Sequence, residues 1–207
     1  MRRFILGSIT MCIILLSLIS CDKSEDPNKT IEYIKGLKTY ECTAKLEIIN
    51  DVQKKEYDIY QLFKKDTGSY IKINEDRQIW LLPNKIIDND IKHKRMTIQS
   101  RIYDNNIYEL TFLDKYIEKL YCDEKIKTKY ADEEGKRYLL VELILCSNNR
   151  NLDKAVIYIN TEDGNPNRIQ VYDGDKKVRM KITYSKFEGN AEIRDDFFDT
   201  KRLLNSD

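Results

Sequence analysis

The sequence predicts an α+β domain, an antiparallel meander of strands carrying a few covering helices. Three observations predict it. Apolar and polar residues alternate in one segment after another. Turn residues (Gly, Asn, Asp, Pro) separate those segments. One amphipathic stretch at helical spacing interrupts the series.

The chain opens on Arg2 and Arg3, followed by a sixteen-residue apolar run from Phe4 to Ile19 and then Ser20-Cys21. A positive start, a short apolar stretch and a small residue before a cleavage point describe a secretion signal. The run is shorter than the roughly 20 apolar residues a spanning helix needs. Leu18-Ile19-Ser20-Cys21 has the order of a bacterial lipoprotein processing site. It predicts cleavage before Cys21, a thioether-linked diacylglycerol on its sulfur, and a lipid-anchored protein on the extracytoplasmic face of the cell membrane. Two acyl chains make a stable anchor where one is marginal. The expected organisation is a signal at 1–20, a lipidated Cys21 with its tether at 21–29, one domain at 30–200 and a tail at 201–207.

Residues 22–28 are polar and hold Pro27, as a tether would. Ile31, Ile34 and Leu37 then fall on one face of a helix over 30–38, with Asn28 or Thr30 to cap it. From Tyr40 the period changes to two: Tyr40, Cys42, Ala44, Leu46 and Ile48 alternate with polar neighbours, a half-buried strand. Strands follow at 55–65, 69–74 and 77–82, divided by Lys65-Asp66-Thr67-Gly68 and Asn74-Glu75-Asp76, and a short run at 85–88 lies beyond Pro83-Asn84. Residues 91–102 are basic, poor in apolar positions and fit neither period. At 104–123, Ile107, Leu110, Leu113, Ile117 and Leu120 recur every three or four residues, an amphipathic helix with Asp104 or Asn105 as cap, suited to covering a sheet. The charged residues 123–136 carry no periodicity. Residues 138–146 are almost wholly apolar, as in a central strand buried on both faces. Strands at 155–160 and 168–172 flank a Gly-Asn-Pro-Asn turn, and Asp173-Gly174-Asp175 leads into a last strand of Val178, Met180, Ile182 and Tyr184. Phe187 is out of that register, so a bulge or strand end belongs near Ser185.

Composition narrows function. Removing 1–20 leaves 187 residues, enough for one real core, with 34 basic and 35 acidic side chains. A near-neutral chain lacks the cationic excess that nucleic-acid binding requires. Cys42, Cys122 and Cys146 remain beside the lipidated Cys21, in no zinc or redox spacing, and read as small buried hydrophobes or as a Cys122–Cys146 bridge. His93 is the sole histidine, set among Lys92, Lys94 and Arg95. That count excludes zinc sites with several His ligands, and no nucleophile motif accompanies it. His93 reads as a solvated residue, with a His93-based hydrolase as the weaker alternative. The 92–95 cations suit either a charged strand edge or contact with anionic lipid. Asp132-Glu133-Glu134 and Asp195-Asp196 resemble an acid/base pair or calcium loop only in composition, and read as solvated faces in a chain that is 34% charged. No cofactor, metal or catalytic residue is expected. Fourteen tyrosines favour binding, because Tyr is enriched at interfaces.

The order of segments, from lipidated Cys through short helix, meander, covering helix and buried strand to final hairpins, resembles the LolA/LolB-like lipoprotein-carrier family. Its closing part carries the likeness most specifically: Ile157-Tyr158-Ile159-Asn160, then Asn165-Pro166 into Arg168-Ile169-Gln170-Val171-Tyr172-Asp173, then Ile182 to Asn190 and Phe197 or Phe198. The resemblance implies a curved antiparallel half-barrel covered by a few helices. Within it, Tyr40-Glu41-Cys42-Thr43-Ala44, Tyr57, Tyr60 and Tyr70-Ile71-Lys72-Ile73 are similar to the clostridial GerS-like germination lipoproteins. That similarity implies a non-catalytic partner of a CwlD-like spore-cortex N-acetylmuramoyl-L-alanine amidase, which makes muramic-δ-lactam, and a strand-swapped homodimer. The broader family implies an alternative, a lipid or lipoprotein carrier with an apolar cavity. Trp80, Phe63 and Phe112 are the side chains expected to fill that cavity instead.

Overall fold

A computed structural model describes residues 26–101, 107–122, 126–145, 149 and 151–199. Asp26 accepts a hydrogen bond from the Asn28 amide and caps α1 (Pro27–Gly36). The cap therefore lies ahead of Asn28 and Thr30, because Pro27 at the first helical position lacks an amide to satisfy and pre-sets the helical φ. β1 (Thr39–Ile49), β2 (Lys54–Lys64), β3 (Gly68–Ile73), β4 (Arg77–Leu81), β5 (Lys85–Asp90) and β6 (Arg95–Ser100) follow as a meander. A 3₁₀ turn (Ile107–Thr111) and α2 (Leu113–Cys122) come next. β7 (Lys127–Glu133), β8 (Lys136–Ile144), β9 (Lys154–Asn160), β10 (Pro166–Tyr172) and β11 (Val178–Gly189) complete the strands, and a 3₁₀ turn (Asp195–Phe198) follows.

All eleven strands form one open antiparallel sheet in the order β6-β5-β4-β3-β2-β1-β11-β10-β9-β8-β7. The first six strands walk to one edge and the last five walk inward from the other. The two meanders meet where β1 pairs with β11, from Tyr40 opposite Gly189 to Ile48 opposite Met180.

One face of the sheet, here called inner, is covered by α1 and α2. Period-two alternation places Tyr40, Cys42, Ala44 and Leu46 of β1 there, with Ile59 and Phe63 of β2, Ile71 of β3 and Ile79 of β4. Leu139, Ile157, Ile169 and Ile182 continue the same face across β8 to β11. Ile31 and Ile34 of α1, and Phe112 and the α2 residues Leu113, Tyr116, Ile117 and Leu120, close over it. Burying each large side chain contributes about 1.5–3 kcal/mol, so this face supplies most of the drive to fold.

The outer face is only partly covered. Residues Ala191, Ile193 and Phe198 cross back over Leu62, Tyr70, Trp80, Leu82 and Ile87. At the far end, Tyr138, Leu140, Val156 and Tyr158 form a separate apolar patch. Because β8 is buried on both faces, Tyr138 and Leu140 look outward while Leu139 and Val141 look inward.

Several expectations change. Within the 91–102 stretch, residues 91–94 form a hairpin turn that leads into β6, every residue of which is exposed. The charged 123–136 segment contains β7, the opposite edge. The 104–123 helix divides into a 3₁₀ turn and α2, and its expected caps Asp104 and Asn105 lie outside the described residues. Phe63 and Phe112 fill the inner face as expected, but Trp80 belongs to the outer one. β11 does not end at Ser185: a bulge there shifts the register, Ala44 facing Tyr184 and Thr43 facing Lys186. The extra residue turns Phe187 back to the inner face, where its ring stacks on Tyr40 at 5.3 Å.

Tyr40 joins the sheet to the crossing segment, because its hydroxyl accepts the Leu113 amide at 3.0 Å. That amide opens α2 and has no partner within the helix. Tyr40→Phe leaves a buried amide unpaired, and should cost about 1–3 kcal/mol, seen as a lower urea midpoint with an unchanged denaturant slope.

Candidate functional site

The residues singled out for chemistry are dispersed. His93 is exposed in the β5–β6 turn, where its ring Nδ1 lies 2.9 Å from Asp90 Oδ2 and its amide donates to Asp90 Oδ1. The pair fastens the turn, and the His93 hydrogen bonds hold the Asp90 carboxyl below the usual range. Glu133 pairs with Arg168, Asp195 with Lys64 at 2.5 Å, and Asp196 with Arg194 at 2.5 Å. Glu133 and both aspartates of the second run are thus engaged in ion pairs. Among the described residues no group of three or more His, Cys, Asp or Glu side chains is placed to hold a metal. Cys42 is buried and unbridged, its thiol pushed up by burial. Cys21 and the proposed Cys122–Cys146 bridge lie outside what the structure describes.

A concave feature of the outer face is an open trough of about 1030 Å³ over β11, β1, β2 and β3. Tyr60, Tyr70 and Phe197 form its apolar wall, and Thr43, Thr183 and Ser185 its polar floor. Tyr70 meets Phe197 edge to face at 5.0 Å, and Tyr60 donates to Glu41 at 3.0 Å. At its end, Lys45 and Lys54 both hold Glu56, whose carboxyl their hydrogen bonds depress to about 2. Lys54 and Lys181 flank Glu47. Charges there neutralise one another, so the trough has no dominant sign.

The second outer patch is organised by Arg168. Its guanidinium lies 3.7 Å from the Tyr158 ring centroid and 5.7 Å from that of Tyr138, while Glu133 accepts from it. Such stacking favours Arg, whose planar cation suits an aromatic face. Sequence reading missed this cluster. The alternation of β8 to β10 encodes it, since Tyr138, Tyr158 and Arg168 share one face once the register is known.

Polar groups are also buried inside. Gln61 donates to Thr111 Oγ1 at 2.8 Å and lies 3.5 Å from the Cys42 sulfur. Tyr116 donates to the Leu110 carbonyl at 2.6 Å. Asp114 sits in the first turn of α2 with Oδ1 buried and unpaired, and the Tyr184 hydroxyl is likewise unpaired. Burial pushes the Asp114 carboxyl up to about 7, Lys115 opposing and Glu118 reinforcing the shift.

A family model described as "Sporulation protein YdcC-like" matches residues 1–198. The sporulation protein YdcC of Bacillus subtilis (strain 168) is 24% identical over 175 residues, 82% of this chain and 48% of YdcC. The chain therefore spans about half the length of that curated relative. Among solved structures, an uncharacterized conserved protein from Thermus thermophilus is similar with a TM-score of 0.54 at 8% identity, over 83% of this chain and 91% of that one. Its likeness is one of fold. The structure of the CwlD amidase from Clostridioides difficile in complex with the GerS lipoprotein contains a chain similar with a TM-score of 0.48 at 19% identity, over 84% of this chain and 98% of that one.

The raised Asp114 carboxyl makes stability pH-dependent. With a folded value near 7 and an ordinary value of 3.8 when unfolded, the cost is absent below about pH 4, grows as pH rises, and is complete above about 7. Asp114→Asn should gain about 2–4 kcal/mol at pH 8 and little at pH 4, read from urea unfolding of both proteins across that range.

Proposed function

The chain belongs to the YdcC-like family of sporulation proteins, and from that premise we propose that it is a lipid-anchored, non-catalytic lipoprotein that binds and licenses a CwlD-like cortex amidase, and so serves cortex modification and germination. On this reading Cys21 carries the lipid and holds the domain at the extracytoplasmic face of the membrane. The sequence likeness to GerS-like lipoproteins around Tyr40–Ala44 and Tyr70–Ile73 supplies the choice of partner.

The observation that carries the reading is the filled inner face. A carrier of acyl chains needs an apolar cavity between sheet and helices. Here Tyr40, Phe112, Leu113 and Tyr116 are each 1% exposed or less and occupy that space. Polar contacts reinforce the filling, since Gln61 and Tyr40 bond to the crossing segment instead of facing a lumen. The features left accessible are open ones: the shallow trough and the sheet edges. Open surfaces of mixed polarity suit protein contact better than capture of a small apolar ligand.

Two measurements test this. Purified amidase incubated with the protein should form a complex on size exclusion and gain activity on cortex peptidoglycan. Absence of both would sink the proposal. Cys21→Ala should abolish incorporation of labelled fatty acid and release the protein from membranes, whereas retention in the membrane fraction would refute the anchor.

A further inference from the structure

The two edges of the sheet are built differently. β7 carries Lys127, Lys129, Asp132 and Glu133 among its seven residues, the usual protection of an edge against pairing. β6 reads Arg-Met-Thr-Ile-Gln-Ser, with a charge only at its first position, and all six residues are exposed.

The register shows which groups β6 offers. Arg101 donates its amide to the Asn84 carbonyl, and Ser100 faces Lys85, Gln99 faces Ile86 and Ile98 faces Ile87. In an antiparallel pair the hydrogen-bonded positions alternate. Arg95, Thr97 and Gln99 are therefore bonded to β5, while Met96, Ile98 and Ser100 turn their amides and carbonyls away from the sheet. No described strand lies on that side.

The same residues carry the apolar side chains. Ile98 lies opposite Ile87, Ile87 opposite Trp80, Trp80 opposite Tyr70 and Tyr70 opposite Leu62, one apolar row across the outer face. The closing segment buries the row from Leu62 to Ile87 and stops short of β6, leaving Ile98 50% and Met96 41% exposed. Next to this edge, Lys92 and Lys94 of the hairpin turn and Arg95, the first residue of β6, bring three cations together in sequence. Among the described residues no ion pair engages these three, while the turn's carboxylate Asp90 is taken by His93.

We propose that the free edge of β6 is a docking strand. It would take an extended segment of a protein partner, with carboxylates beside Lys92, Lys94 and Arg95 and small or apolar side chains next to Met96 and Ile98. Main-chain hydrogen bonds at Met96, Ile98 and Ser100 bind the added strand, the two apolar side chains set its register, and the turn cations select an acidic sequence. Resting on the functional reading above, this assigns the segment to the amidase.

Ile98→Pro tests it cleanly. That position's amide points away from β5, so proline removes a docking donor without removing a bond of the sheet, a site where edge strands tolerate it. Ile98→Lys and the turn variant Lys92→Glu/Lys94→Glu/Arg95→Glu give independent routes if the proline variant unfolds. Full-length proteins are titrated against purified amidase, with circular dichroism as the folding control. Each folded variant should weaken binding about tenfold or more, and added salt should weaken the wild-type complex. Full binding by folded Ile98→Pro and Ile98→Lys overturns the edge and leaves the functional reading intact. A wild-type protein that binds no amidase defeats the functional reading and this assignment with it. Binding to phosphatidylglycerol vesicles that is lost on charge reversal, with amidase binding unchanged, shows a lipid contact and overturns the proposal. A wild-type dimer that Ile98→Pro converts to monomer, with amidase binding unchanged, assigns the edge to a second copy and overturns it as well.

Discussion

The rest of the structure depends on the pairing of β1 with β11. With β2 these are the longest strands of the sheet, and their ladder joins two meanders that share no other strand pairing. Once they pair, β6 and β7 must stand at opposite edges, although they are consecutive in sequence. Ten interstrand steps at about 4.8 Å put them roughly 48 Å apart along the sheet. The connection, residues 101–126, must cross a whole face. Ten of its residues are the helix α2, spanning about 15 Å, and the rest can cover the remainder at about 3.3 Å each. The apolar stripe of α2 is therefore a topological requirement as well as a packing one, for a polar crossing would leave the inner face of the sheet covered only at α1.

A crossing held by apolar contact alone could slide along the sheet. Directional bonds fix it to the sheet: Tyr40 to the Leu113 amide and Gln61 to Thr111. Each satisfies a group that would otherwise be buried unpaired, at a cost of about 1–3 kcal/mol. Asp114 is the exception, because its unpaired Oδ1 weakens the same junction in the ionised form. The crossing is thus anchored at its first turn by sheet side chains and loosened at the same turn by one carboxyl.

Much of this was legible because a half-buried strand writes its burial as period two. β1 and the first half of β11 announce themselves in that way, and α2 does so at period 3.6, whereas β9, buried at five consecutive positions, shows only as an apolar run. The strands that escaped are the edges. β6 and β7 bury little, so nothing forced their side chains to alternate, and charge at Lys127, Lys129 and Asp132 looked like a loop. Phe187 signalled an irregularity correctly, but sequence could not say whether the strand stopped or bulged. The bonds of Ser185 Oγ to Thr43, at 2.9 and 3.1 Å, secure the bulge and come from a residue 142 positions away. Trp80 was placed in a cavity because its size suggested filling. Alternation in β4 sends it outward beneath Phe198, a contact no local pattern contains. The candidate surfaces were hidden for the same reason: the Arg168 stack and the trough are products of register, and register is a tertiary fact.

The proposed anchor and the open edge bear on each other through distance. Between Cys21 and the helix cap Asp26 lie about five peptide steps, which extend to at most about 18 Å. On the proposed lipidation, the domain is held close to the membrane by α1, which packs where the two meanders join: a Cβ on Gly189 of β11 would come within 2.5 Å of the Tyr33 hydroxyl. The tether therefore attaches near the middle of the strand order and leaves both edges about 24 Å away along the sheet. Of the two flanks, β7 is charged against pairing and β6 is not, so the two edges are not equivalent to an approaching strand.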